Sequence, residues 1–190
     1  MKRQLKKIVC LTLITSMILG QKTLNTTKNV TAKEKKDIKI AIDAGHQARG
    51  NFATEPVGPG TRKAKVAGGA TGVASHVPEY KLTLAVSKKL QKELKARGYK
   101  VYMIRTKNNV NISNTKRAQL ANKSGADIYI RIHADSSNSR AVTGASGLYP
   151  SKANKYVSKL STKSKKLSSC LLKSYCKKTK IRNRGLVARD

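Results

Sequence analysis

Acidic and large aromatic residues are scarce in this 190-residue sequence. It has 9 Asp and Glu against 41 Lys and Arg, so its formal net charge is +32. A charge of this size indicates a polyanionic partner or environment. One Phe and no Trp leave few rings for stacking on nucleic-acid bases, although seven Tyr remain. Histidine is also rare, with three copies, so the position of each one is informative.

Cysteine is too scarce to build a disulfide framework. Cys10 falls in an apolar N-terminal run, which leaves Cys170 and Cys176 in the rest of the chain. On one helix these two residues would lie about 240° apart around the axis and about 9 Å along it. They could not pair with each other in that geometry.

The sequence has no apolar run long enough for a stable membrane span. Four basic residues precede the apolar segment 8–19, which would rise about 18 Å as a helix, against a hydrocarbon core of about 30 Å. We therefore predict a signal peptide at 1–20, with a short uncleaved anchor as the alternative, and a secreted or cell-wall location. Residues 21–37 are predicted to be a disordered lead-in, and 38–190 to form one domain.

The domain alternates strand and helix patterns, which predicts an α/β fold with a twisted, mostly parallel sheet flanked by helices. Segment 47–77 is rich in Gly, Ala and Thr and is predicted to be a long loop that serves a site. The predicted strands are 38–42, 99–104, 126–132 and 147–149, and the predicted helices are 78–98, 113–124 and 152–180.

Apolar positions indicate which side of each long helix is buried. Leu82, Val86, Leu90 and Leu94 recur every fourth residue and are predicted to form the apolar side of the first helix. In the last helix that side is predicted to comprise Val157, Leu160, Leu167, Leu171 and Leu172. Ser113 is predicted to cap the middle helix.

Two histidines occupy matching positions directly after predicted strands. His46 follows "AIDAG" and His133 follows "IRI", and open α/β sheets bind ligands at the carboxyl ends of their strands. A catalytic zinc site takes three ligands from His, Cys, Asp or Glu. Glu79, at the start of the first helix, is the best-placed third ligand, and Glu55 is second. Glu79 would also be stabilised there by the helix dipole alone, so both interpretations remain open.

Four segments resemble, in order and spacing, the zinc-dependent N-acetylmuramoyl-L-alanine amidases of bacterial cell-wall lysis, particularly the clostridial secreted and spore-related forms. They read "IAIDAGHQ", "PEYKLTLAVSKKLQKELKARGYKVYMIRT", "NTKRAQLANKSGADIYIRIHADS" and "NRGLVARD", between Lys39 and Asp190. The resemblance implies one Zn²⁺ ion held by His46, Glu79 and His133. It also implies hydrolysis of the bond between N-acetylmuramic acid and L-alanine by zinc-activated water.

The resemblance further implies a general-base glutamate in a last core strand, expected beyond Asp190. This sequence contains no match to that strand, so we expect a C-terminally truncated sheet and strongly reduced activity. The catalytic base is therefore unassigned within the 190 residues.

The implied partner is peptidoglycan, and the positive charge favours anionic wall polymers as additional partners, with a monomer expected. A genome that favours Lys codons would also explain the charge. One alternative is a catalytically defective, zinc-containing, wall-binding relic of an amidase. Another is a basic nucleic-acid-binding protein, against which stand the predicted export signal and the lack of a nucleic-acid motif.

Overall fold

The computed structural model describes residues 34–137, 139 and 141–189. The predicted signal peptide and most of the predicted lead-in lie outside these residues. Lys35–Asp37, at the end of the lead-in, form a single 3₁₀ turn. None of the helices in the described ranges has the length and apolarity needed to cross a membrane. The chain divides into two compact units, with the boundary between Ser136 and Ser137.

The first unit contains a parallel sheet and an antiparallel hairpin. Its elements are β1 (Lys39–Ala44), β2 (Asn51–Gly58), β3 (Thr61–Val66), α1 (Glu79–Ala96), β4 (Lys100–Met103), α2 (Asn114–Lys123) and β5 (Ile128–Ile132). Strand β1 lies between β4 and β5 and is parallel to both, whereas β2 and β3 pair antiparallel. The predicted α/β class with a parallel sheet is confirmed.

The core of this unit forms on both faces of β1. Successive side chains of a strand point to opposite faces, so Ile40 and Ile42 face one way and Ala41 the other. The first face packs against Leu84 and Leu94 of α1, and on the second face Ala41 packs with Ala121 of α2. Burial on both faces explains why β1 is almost continuously apolar. Its carboxyl end is thereby fixed between two helices.

Helix α1 buries only the second half of the predicted row, in which Leu94 is buried and Leu90 packs against the core. Leu82 and Val86 are exposed, at 44% and 41%, whereas Thr83 and Ser87 are almost completely buried. A step of four residues advances about 400° around a helix, so a row of every fourth residue drifts about 40° per step away from one face. Thr83 is accommodated inside because its hydroxyl donates a 2.8 Å hydrogen bond to the Gly45 carbonyl.

The prediction of a long loop over 47–77 is wrong for its first part, which forms the β2–β3 hairpin. Most of the hairpin is exposed, and only Glu55 and Val66 are buried. The strands therefore lack the alternation of apolar and polar residues that predicts a half-buried strand. Gly60 has a φ of +67°, which allows the tight turn between them.

The second unit contains β6 (Ala145–Pro150), α3 (Ser158–Thr179) and β7 (Asn183–Arg189). Strands β6 and β7 are parallel, and α3 contacts both of them. Strand β7 was not among the predicted strands. In α3, Leu172 is buried as predicted, whereas Leu160 and Leu171 are exposed, contrary to prediction, and Ser161 is buried. Cys170 and Cys176 are both free, as expected from their spacing.

Candidate metal centre

The segment that follows β1 carries His46 out of the parallel sheet. His46 has a φ of 58°, in the left-handed region that residues other than glycine rarely adopt. The Gly45 N–H donates to the Ile132 carbonyl at 2.9 Å, and the Arg117 guanidinium donates to the His46 carbonyl at 2.9 Å. The turn is therefore tied to β5 on one side and to α2 on the other.

Two glycines allow the backbone to lie against the candidate ligands. A Cβ on Gly45 would lie 2.6 Å from the imidazole of His133, which is closer than such atoms can approach. A Cβ on Gly69 would lie 2.9 Å from the imidazole of His46 and 3.2 Å from the Glu79 carboxylate. Gly69 also has a φ of +85°, so any other residue would be strained there.

Glu79 is the first residue of α1, and its carboxylate is buried between two backbone donors. Ala70 N–H donates to Oε2 at 2.9 Å, and Ala134 N–H donates to Oε1 at 2.8 Å. Burial raises the pKa of Glu79, but these bonds, the contact with His133 and the electrostatic interaction with His46 together lower it below its usual value. Glu79 is therefore ionised at neutral pH.

His46, Glu79 and His133 converge at the carboxyl ends of β1 and β5. His46 Nε2 is 3.2 Å from Glu79 Oε2, and His133 Nδ1 is 3.0 Å from Glu79 Oε1. One ligand atom from each of the three side chains lies within 4.8 Å of the others. The two imidazole rings meet edge to face, with their centroids 4.6 Å apart.

The hydrogen bonds and protonation of this group suit a metal. The Ala67 carbonyl lies 2.9 Å from His46 Nδ1 and can only accept, so Nδ1 is the donor and Nε2 is the nitrogen directed at the Glu79 carboxylate. Burial and the charge of Arg131 lower the pKa of His133, and they outweigh the opposite effect of Glu79. A neutral imidazole and an ionised carboxylate are the forms that bind metals. Two His and one Glu form a donor set that catalytic zinc uses, so the residues fit this ion.

A buried ion pair beneath the group was not predicted from the sequence. Arg117 Nη1 lies 2.6 Å from Asp43 Oδ1, and both side chains are 0% exposed. Tyr129 donates to the other oxygen of Asp43 at 2.7 Å. Asp43 itself could have indicated this pair in the sequence, because an acidic residue inside an apolar strand requires a buried counter-charge.

A second buried guanidinium, that of Arg105, holds the same turn from the β4 side. It donates to the carbonyls of Ala44 at 2.8 Å, Gly45 at 3.0 Å and Tyr80 at 2.8 Å. Burial and the neighbouring Arg117 lower the pKa of Arg105 to about 10, against the effect of Asp43, so it stays protonated at neutral pH. Together the two arginines bind three consecutive carbonyls, those of residues 44–46.

Glu55, the second-ranked candidate ligand, does not belong to this group. Its carboxylate accepts a 2.9 Å hydrogen bond from the Thr115 N–H at the start of α2. Burial raises the pKa of Glu55, but hydrogen bonds from Ser113 and Thr115 and the charge of Lys65 lower it overall. An ionised carboxylate at a helix N-terminus satisfies unpaired N–H groups and the helix dipole. Glu55 thus joins the hairpin to α2.

Comparison with known families identifies the chain. The sequence profile described as N-acetylmuramoyl-L-alanine amidase matches residues 40–190. The chain belongs to this amidase family. The match begins in β1 and includes all three members of the candidate metal group.

Individual members of the amidase family agree with this assignment. A putative N-acetylmuramoyl-L-alanine amidase of Buchnera aphidicola subsp. Baizongia pistaciae is 36% identical over 108 residues, which are 56% of this chain and 41% of that protein. The crystal structure of an N-acetylmuramoyl-L-alanine amidase from Clostridium difficile 630 has a TM-score of 0.57 and 27% identity, covering 80% of this chain and 70% of that one. The catalytic domain of CwlV from Bacillus (Paenibacillus) polymyxa var. colistinus shares the fold, with a TM-score of 0.59 and 23% identity over 80% of this chain and 70% of that one. The chain thus spans about two fifths of the length of its curated relative.

Proposed function

We propose that this member of the amidase family hydrolyses the amide bond between N-acetylmuramic acid and L-alanine in peptidoglycan. His46, Glu79 and His133 would hold one Zn²⁺ ion. The observation that carries the proposal is the convergence of these three side chains at one sheet edge, where the pKa values of Glu79 and His133 are both lowered. The family match over residues 40–190 supports the choice of reaction and substrate.

The side chains have distinct roles in this proposal. When bound, zinc supplies Lewis acidity that polarises the amide carbonyl and activates water. His46 is oriented by the Ala67 carbonyl so that Nε2 faces the Glu79 carboxylate. Glu79 contributes a negative charge that the N–H groups of Ala70 and Ala134 keep ionised and fixed. The general-base glutamate stays a prediction from the family resemblance.

We further propose that the protein acts outside the cell, as a monomer, at the cell wall. The basic N-terminal segment with its short apolar run supports export by a signal peptide at 1–20. The net charge of +32 supports attraction to anionic wall polymers. Secretion of a reporter fused to residues 1–37 is the expected result, and retention of the reporter in the cytoplasm would contradict this part of the proposal.

The test combines zinc content with release of new amino groups from purified sacculi. We expect one zinc per chain, and we expect chelation to abolish the release of L-alanine amino termini. His46→Ala and Glu79→Gln should each lose zinc. His76→Ala is the matched control, because the third histidine is exposed and lies outside the metal group.

Equal zinc loss in His76→Ala and His46→Ala would refute the assigned ligands. A protein that binds zinc and sediments with sacculi but releases no amino groups would instead be the non-catalytic wall-binding relic. Release of amino groups other than those of L-alanine would contradict the proposed bond specificity.

A further inference from the structure

A cavity of about 530 Å³, lined by polar and apolar surface in about equal parts, lies beside the turn that carries His46. Its walls are segments 47–52 and 109–111, both in the first unit. Because Gln47 directly follows His46, the cavity begins one residue from a proposed metal ligand. The cavity is therefore close enough along the chain to be considered as a binding site for a part of the substrate next to the scissile amide bond.

Hydrogen bonds between the two walls hold the cavity in shape. Ala48 N–H donates to the Asn108 carbonyl at 2.9 Å, and Ile112 N–H donates to Gln47 Oε1 at 3.0 Å. The Asn51 amide donates to the Asn111 side-chain oxygen at 3.1 Å. Gln47 is 1% exposed, so this cross-link is protected from water. The cavity is therefore built into the fold and does not depend on a bound molecule to open it.

The lining combines one cationic group with an exposed ring. Arg49 is exposed, and its guanidinium makes no ion pair or hydrogen bond with any residue in the part of the chain that the structure describes. The Phe52 side chain is 74% exposed, and its ring lies against the turn, where a Cβ on Gly50 would be 3.1 Å from it. A guanidinium with no protein partner is a ready binding group for a carboxylate, which it can engage through two parallel hydrogen bonds.

We propose that Arg49 binds a carboxylate in the peptide part of the substrate, with Phe52 packing against that peptide. This inference rests on the proposed function. Arg49 lies three positions after His46, so their Cα atoms are within about 11 Å of each other, the length of about three extended residues. On the peptide side of the muramoyl–L-alanine bond, a carboxylate at that distance would belong to one of the first few residues. The cavity would select for acidic stem peptides and orient them.

The test measures KM and kcat of the 190-residue protein with two substrates. They are N-acetylmuramoyl-L-alanyl peptides in which the carboxylate of the residue after L-alanine is either free or amidated. We expect Arg49→Gln to raise KM about tenfold for the free acid, with kcat little changed, because a hydrogen bond to a charged group is lost. KM for the amidated substrate should not change, and Arg49→Lys should restore part of the affinity for the acid.

Arg62→Gln is the matched control for the change in charge. Arg62 lies on β3 of the neighbouring hairpin, and its guanidinium already donates to Thr54. We expect no change in KM for either substrate. An equal rise in KM for both substrates in Arg49→Gln, or the same rise in Arg62→Gln, would overturn the proposal.

Calorimetric binding separates this inference from the proposed reaction. If no substrate is turned over, the amidase proposal fails, but binding of the free-acid peptide to wild type and Arg49→Gln still decides the role of Arg49. Equal affinity of the two proteins for that peptide would overturn that role. If Phe52→Ala weakens binding of N-acetylmuramic acid alone while Arg49→Gln leaves peptide binding unchanged, the cavity is a sugar site and the proposed peptide anchor is wrong.

Discussion

The buried pair of Arg117 and Asp43 is expected to control both stability and the metal centre. The two groups are 2.6 Å apart and completely buried, and Arg117 also donates to the carbonyls of Ala44 and His46. Removing one partner of a buried pair leaves an uncompensated charge and costs about 3–5 kcal/mol. The free energy of unfolding of a typical domain is about 5–15 kcal/mol, so Arg117→Met should remove a large part of it and leave the domain only marginally stable.

The same substitution should weaken zinc binding, because Arg117 fixes the backbone of a candidate ligand. His46 has a left-handed φ of 58°, and without the Arg117 donor its carbonyl loses a hydrogen bond that holds this conformation. Loss of a group that orients a metal ligand typically costs about 10- to 100-fold in metal affinity. Arg117→Lys should recover part of the stability through its charge. It should recover little zinc affinity, because one ammonium cannot reproduce the forked contacts.

Urea unfolding and competition with a zinc chelator measure the two effects separately. At a slope of about 2 kcal/mol per molar urea, the midpoint for Arg117→Met should fall by about 1.5–2.5 M. Arg97→Met is the matched control. Arg97 directly follows α1 and forms a partly exposed ion pair with Glu93, so its loss should lower the free energy of unfolding by less than about 1 kcal/mol. If Arg117→Met shifts the midpoint no more than the control, or leaves zinc affinity unchanged, the reasoning is refuted.

Three further predictions concern other parts of the chain. Glu55→Gln should lower the free energy of unfolding by about 1–2 kcal/mol at neutral pH, measured with urea. The pKa of Glu55 is lowered on folding, so the ionised carboxylate stabilises the fold above its unfolded-state pKa. The difference in stability between the variant and wild type should therefore vanish as the pH falls through the folded-state pKa. Gly69→Ala should cost about 1–3 kcal/mol and weaken zinc binding, whereas Gly68→Ala, with open space around its Cβ, should do neither; equal effects would refute the steric argument. Sedimentation with sacculi should weaken as salt rises, and insensitivity to salt would argue against charge-driven wall binding.

Local sequence patterns predicted a structural feature correctly where the interactions that form it lie within one short segment. The apolar runs at β1 and β5 predicted parallel strands, and they put His46 and His133 at the carboxyl ends of those strands. Ser113 was predicted to cap α2, and its hydroxyl accepts the Lys116 N–H at 3.2 Å as expected. In each case the responsible interaction lies within a few residues or follows from alternation along a single strand.

The sequence by itself determined the α/β class, the positions of two histidines at one sheet edge and a carboxylate at the start of α1. Only the tertiary structure decided that Glu79, and not Glu55, joins the histidines, and that Arg117 is buried against Asp43. These contacts join residues 33 to 74 positions apart, and no local periodicity encodes the partner of a buried charge. The physical reason is that the sequence of a polar helix reads the same whether one of its arginines faces water or a buried carboxylate. Only the packing of the helix against the rest of the protein decides which of the two occurs.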